Sequence, residues 1–177
     1  KESKKKNPPG QHGAAAVKKS EFRLALEEKQ KIRFNYGLNE RQLRRYIGIA
    51  KSSKGLTGEM LLSLCEMRLD SIGFRLGFAP SIPAARQMVS HGHILVNGKR
   101  VNIPSFNCKV GQKLSPLNKE GSVDLVKKNL QGRESIVLPQ HLNLDHASAT
   151  GTVVASCLNE DVLLKVQSKL VVEYYNT

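Results

Sequence analysis

The side chains best placed to do chemistry lie between Met67 and Lys109, and they are cations and ring nitrogens rather than nucleophiles. Arg68, Arg75, Arg86, Lys99 and Arg100 all avoid the apolar positions of this stretch, with Gln87, His91 and His93 beside them as further donors. Positive charge fixed on rigid elements suits the phosphate backbone of a folded nucleic acid, although Lys and Arg clusters also occur as ordinary solvated faces. Asp70 is the carboxylate most tempting as a catalyst, yet no second carboxylate is spaced to work with it, and local hydrogen bonding at a helix start is its plainer role. His91 and His93 alternate as chelating strand residues can, but His91 falls at a helix end and no thiolate or carboxylate cluster accompanies them. Cys65, Cys108 and Cys157 are single, widely spaced and odd in number. They form neither a Cys-x-x-Cys zinc knuckle nor a disulfide framework, and read as small reduced core residues. The chain has no Walker-type phosphate loop, no Gly-x-Ser-x-Gly elbow and no dinucleotide glycine pattern. The reading is a binding protein, not an enzyme, with no cofactor and no metal.

Those side chains need elements to hold them. Leu69, Ile72 and Leu76 recur at helical spacing and are closed by Gly77, a residue suited to the left-handed position after a helix end. Ser81 can cap a second helix that tolerates Pro83 in its first turn, buries Ala85, Met88 and Val89, and stops at Gly92. The period then changes from helical to extended. Ile94–Val96 and Arg100–Pro104 read as short strands joined at Asn97-Gly98, the pair favoured in a tight primed turn. The order is helix, loop, helix, hairpin, with the basic residues placed outward.

This segment closely resembles the S-four RNA-binding module, in its Arg-Leu-Asp opening at Arg68 to Asp70, its Ala-Arg-Gln helix at Ala85 to Gln87 and its His-Ile-Leu-Val-Asn-Gly hairpin at His93 to Gly98. Several enzyme families carry the same module as an accessory, so the flanks must decide what it serves.

The 177 residues suffice for one or two small domains, and the 28 Lys and Arg against 15 Asp and Glu give a net charge of +13, which indicates a polyanionic partner. Residues 1 to 54 carry fifteen basic and five acidic side chains, residues 55 to 115 seven and three, and residues 116 to 177 six and seven. The partner therefore meets the first two-thirds. No run approaches the roughly 20 apolar residues that cross a membrane, and no membrane partner is expected.

Residues 1–19 mix Lys4, Lys5 and Lys6 with prolines, glycines and His12, a tail expected to be disordered alone and to order against RNA phosphates. Phe22, Ala25, Leu26, Ile32 and Tyr36 give a first helix; Asn39 and Gln42 can form a reciprocal cap on a second, whose Arg41, Arg44 and Arg45 project away from Leu43, Ile47 and Ala50. Thr57 is read as the cap of a third, through Leu61, Leu64 and Cys65. Beyond Lys109 the pattern predicts a strand to Leu114, a helix near Val123 to Leu130 and extended stretches at Leu142 to Leu144 and Thr152 to Leu158; the ending leaves two choices, a strand favoured by Val171, Val172, Tyr174 and Tyr175 or a short helix capped by Ser168, of which helix is preferred. The fold class is α+β: residues 20–66 form a helical domain, which the family resemblance implies is completed by 166–177, and residues 67–165 the module with its sheet extension.

The resemblance extends well beyond the module. PPGQHG at Pro8 to Gly13, EEKQKIRFNYGLNERQLRRY from Glu27, LTGEMLLSLCEMRLD from Leu56 and the ending Val-Val-Glu-Tyr-Tyr resemble bacterial and plastid S-four proteins of the small ribosomal subunit. That resemblance implies a structural protein that binds a multi-helix junction in the five-prime domain of small-subunit ribosomal RNA and nucleates assembly of the body. It also implies a place beside protein S-five and the messenger entry path and an influence on translational fidelity; separately, a start at Lys1 rather than Met leads us to expect a segment upstream. The likeness of Val171 to Asn176 and of the first helix to plastid and cyanobacterial versions points to a plastid ribosome, with bacterial cytoplasm as the alternative. An RNA-modifying enzyme or a ribosome-associated factor carrying the module is the competing reading. Gly73 and Ser71 depart from the branched residue and Asn usual in that helix; the glycine costs up to about 1 kcal/mol of helix propensity.

Overall fold

The structure is a computed structural model and describes residues 7, 10–14, 18–132 and 138–176. Its first three helices are α1 (Glu21–Asn35), α2 (Glu40–Ser52) and α3 (Thr57–Glu66). Each starts for a local reason. The Ser20 side chain accepts from the Arg23 amide ahead of α1, and Asn39 and Gln42 make both halves of a capping box ahead of α2. Helix α3 differs from expectation: Leu56 is its N-cap, Thr57 is its first residue, and no side chain caps it.

The chain then runs directly into α4 (Leu69–Arg75) and α5 (Ile82–Ser90), the latter capped by Ser81 with proline in its first turn. The hairpin follows as β1 (Ile94–Val96) and β2 (Lys99–Arg100), turning on Asn97 and Gly98, both with positive φ (48° and 76°), as a primed turn requires. Strand β2 is shorter than the Arg100–Pro104 run suggested. Beyond Val101, whose amide still donates to the Ile94 carbonyl at 3.4 Å, the chain leaves β1 to serve α4 instead, where Phe106 and Pro104 carbonyls accept from the Leu69 and Asp70 amides and Asn107 bridges to Arg68. These bonds answer amides at a helix start that lacks a capping side chain.

Next come β3 (Lys113–Pro116), α6 (Glu120–Gln131), β4 (Leu142–Asp145), β5 (Thr150–Val153), a short 3₁₀ turn at Asn159–Asp161, and α7 (Ser168–Tyr174). The five strands form one antiparallel sheet in the order β2-β1-β3-β5-β4. Strand β5 stops at Val153, short of the run to Leu158. The α+β class, with helices first and a mainly antiparallel sheet after, is the observed one.

Two apolar cores lie side by side. One gathers Leu69, Ile72, Phe78, Val89, Ile94, Leu114, Val126 and Val153 around α4, α5 and the sheet. The other gathers Ile32, Tyr36, Leu43, Ile47, Leu61 and Cys65 from the first three helices, and Val171 of α7 inserts into it. Helix α7 is further tied back by Gln167, whose amide donates to Glu28 Oε2 at 2.8 Å, and by Lys51 donating to Asn176 Oδ1 at 2.6 Å. The three cysteines are free and buried, and burial pushes each thiol up to about 12, so they sit as neutral packing groups.

Candidate nucleic-acid interface

The arginines divide into two sets, and the division corrects the outward placement drawn from spacing. Arg68 is 1% exposed. Its Nε and Nη2 donate to the two carboxylate oxygens of Asp70 at 2.9 and 2.6 Å, and Nη1 donates to the Tyr46 hydroxyl at 2.7 Å. Burial alone pulls this guanidinium down, but the bonds to Asp70 and Tyr46 more than offset it, and Arg68 is held above its ordinary value. Arg75 is likewise turned inward, donating to Glu66 Oε2 at 3.0 Å and Oε1 at 2.5 Å, with the Tyr36 hydroxyl donating to the same Oε1 at 2.7 Å. Desolvation first, and then the Glu66 carboxylate, push the Tyr36 phenol well above its usual range. Neither Arg68 nor Arg75 has a free guanidinium to offer a phosphate.

Arg86 is partly exposed and does three things at once. It donates to Asp70 Oδ2 through Nε and Nη2 at 3.1 and 2.8 Å, to the Tyr36 carbonyl through Nη2 at 3.0 Å, and to the Gly37 carbonyl through Nη1 at 2.7 Å. A helix of the module thus grips the end of α1. The reason spacing missed this is physical: periodicity says which side of its own helix a residue takes, not which neighbour covers that side. Asp70, read as a local hydrogen-bonding residue, binds the Ser71 amide and also anchors two arginines.

Arg41, Arg44 and Arg45 are exposed along α2, as their positions opposite Leu43, Ile47 and Ala50 require. Arg44 stands 5.9 Å from the Tyr175 ring and lines a recess of about 590 Å³ with Phe22, Ile47, Gly48, Lys51, Tyr174 and Tyr175. The aromatic contribution of the carboxy-terminal segment to this basic recess was not read from the sequence, although the adjacent tyrosines could have signalled it. Lys29 lies beneath, 4.6 Å from the Tyr174 ring and 3.2 Å from Glu40, whose Oε1 also accepts from the Tyr175 hydroxyl at 2.5 Å. Burial raises the Glu40 carboxyl, but the Tyr175 and Lys29 bonds outweigh it and leave the group below its ordinary range.

On the module, Gln87, His91 and His93 line one groove of about 330 Å³ with Ala84, Met88 and Leu125, and His93 Nδ1 is 2.9 Å from Ser122 Oγ. Lys99 is exposed beside the hairpin turn. Arg100 folds back instead, donating to the Gly92 and His91 carbonyls at 3.1 and 2.9 Å, so it caps the end of α5 while remaining exposed. His12 is exposed in a turn within residues 10–14, and Lys4, Lys5 and Lys6 lie outside the described residues.

What is assembled is a set of exposed cations on α2, ring donors and Lys99 on the module, and a largely buried seam of Arg68, Asp70, Arg86, Glu66 and Arg75 that ties α4 and α5 to the helical part. Two families of sequence meet this geometry: residues 1–66 match the model described as the ribosomal protein S4/S9 N-terminal domain, and residues 67–114 match the S4 domain. The chain belongs to the ribosomal S4 family. It is 54% identical over 173 residues to small ribosomal subunit protein uS4 of Thermosynechococcus vestitus, covering 98% of this chain and 86% of that one. The uS4 proteins of Synechococcus elongatus and Prochlorococcus marinus are 49% and 47% identical over 176 residues, each across 99% of this chain and 87% of the relative. The amino-terminal match and the near-full-length likeness to uS4 proteins together overturn the competing enzymatic reading.

Proposed function

We propose that this S4-family chain is a structural constituent of the small ribosomal subunit, not an enzyme, and that it grips folded ribosomal RNA along two faces of one rigid body. The observation that carries this reading is the pairing of exposed Arg41, Arg44 and Arg45 on α2 with Gln87, His91, His93 and Lys99 on the module, held in fixed relation by the Arg68–Asp70–Arg86 and Glu66–Arg75 seam. Phosphates fix position and the aromatic recess takes an unstacked base or sugar edge. Lys4, Lys5, Lys6 and His12 extend the grip, and Arg86 and Arg100 add partial charge from positions already occupied by carbonyls. Arg68 and Arg75 act as positioning residues.

The finer reading is a multi-helix junction of the five-prime domain as the site, nucleation of the body as the consequence, and a neighbourhood shared with protein S-five and the messenger entry path through which fidelity is influenced. The division of labour is between residues 20–66 with 166–177 and residues 67–165. Its setting is a plastid ribosome, which cyanobacterial relatives fit, with bacterial cytoplasm as the alternative. The test is co-sedimentation. Stoichiometric recovery in salt-washed small subunits, and footprinting of the free protein on five-prime-domain RNA, are the expected results; loss at the salt wash sinks the reading.

A further inference from the structure

His141, Cys157 and Asp161 come from three separate turns of chain: one just ahead of β4, one beyond the end of β5, and one closing the 3₁₀ turn. Their ligand atoms all lie within 4.8 Å of one another. His141 is 1% exposed; Nδ1 stands 3.5 Å from Asp161 Oδ2, an ionic contact without good hydrogen-bond geometry, and Nε2 makes no hydrogen bond among the described residues. A buried imidazole with so few partners is short of the hydrogen bonds its ring can make. Cys157 is 4% exposed, and its thiol donates a long hydrogen bond to the Leu158 carbonyl at 3.5 Å. Asp161 is held in place by its neighbours' backbone, Oδ1 accepting from the Gln140 amide at 3.2 Å and Oδ2 from Leu158 at 3.1 Å.

We infer that His141, Cys157 and Asp161 form a binding site for a divalent, borderline-soft cation of the zinc(II) class. Imidazole nitrogen, thiolate sulfur and carboxylate oxygen are the three donor types zinc accepts, and three protein ligands leave a fourth position for water. Zinc bonds of about 2.0–2.3 Å set ligand atoms roughly 3.3–3.8 Å apart, so closure asks the donors to contract by about 1 Å, within the reach of side-chain torsions. Charge favours it as well. On binding, Cys157 releases its thiol proton to solvent, and one thiolate, one carboxylate and a dication then sum to zero in a buried place. The ion joins the segment ahead of β4 to the segment after β5 and so clamps the outer edge of the sheet.

Cobalt(II) is the probe. The chain is stripped with chelator under reducing conditions and titrated with cobalt, then with zinc. One cobalt per chain, with a thiolate-to-metal charge-transfer band that zinc abolishes and that Cys157→Ser lacks while Cys108→Ser keeps, is the expected result. Binding without that band, as surface histidines would give, overturns the site, as does a band of full strength in Cys157→Ser. Should Cys157→Ser fail to fold, Asp161→Asn decides, because Asn retains an acceptor for the backbone amides. Its cobalt affinity should fall by about tenfold or more, and unchanged affinity overturns the proposal.

Discussion

Arg86 Nη2 and Asp70 Oδ2 stand 2.8 Å apart across the corner between α4 and α5, and the same guanidinium reaches the carbonyls of Tyr36 and Gly37 in the helical part. One carboxylate therefore receives two arginines, and it is wholly buried with Arg68. The three residues are unequal. Asp70→Asn strands a buried Arg68 cation and should cost about 3–5 kcal/mol, whereas Arg86→Ala leaves the Arg68 bidentate pair intact and should cost about 1.5–3. Urea denaturation of both variants checks the ranking; equal losses would show that Arg86, not Arg68, neutralises the carboxylate.

The exposed set should behave in the opposite way. Replacing Arg41, Arg44 and Arg45 together by alanine should leave the urea midpoint nearly unchanged, since surface charges contribute little stability. Binding to five-prime-domain RNA across a salt series should instead show the magnitude of d log K/d log[salt] lowered by about two to three, and Lys99→Ala by roughly one. A wild-type slope in the triple variant removes the α2 face from the interface.

Gly92 and Gly98 both need positive φ, 73° and 76°, but only at Gly92 would a Cβ meet the Arg100 guanidinium, 2.0 Å from Nε. Gly98→Ala should therefore cost only the backbone strain, about 1–2 kcal/mol. Gly92→Ala should cost that and the Arg100 cap as well. In an Arg100→Ala background the two glycine substitutions should become equal, and thermal melts of both parents and the two glycine variants of each measure it.

Glu40 is depressed by its Tyr175 and Lys29 bonds, against the effect of burial. A carboxylate lowered in the fold contributes stability that is present above its unfolded value, near 4.5, and declines as pH falls through the lower folded value. Wild-type stability should drop on acidification below about pH 4.5, and Glu40→Gln should show a shallower decline over that window. Identical pH profiles would mean that the contact between α2 and α7 carries no proton linkage.

Legibility in the sequence tracked the range of the interaction. The capping box at Asn39 and Gln42, the Ser81 cap and the Asn97-Gly98 turn are each settled within four residues, and all were readable. The ladder of β3 with β5 joins Leu114 to Gly151, and Arg68 finds Tyr46 22 residues away, so neither the strand order nor the burial of that arginine has a local signal. Of the candidate site, exposure on α2 followed from the helical period, because an apolar stripe leaves only one other side. Arg68, Arg75 and Arg100 escaped the same logic because a long cationic side chain is defined by what its tip reaches. The His141, Cys157 and Asp161 cluster escaped altogether, since its members are placed by the sheet and follow no metal-ligand spacing.

The amide of Gln167 reaches back 139 residues to Glu28, and Val171 fills the core that α1 begins. On a ribosome adding about 5–20 residues per second, α1 waits on the order of ten seconds for α7. The module waits as well, because Val126, Leu142 and Val153 complete the core around α4 and α5, and β3 takes its second partner from β5. Both parts of the chain thus take their closing pieces from its last third, and neither is whole until synthesis is nearly over.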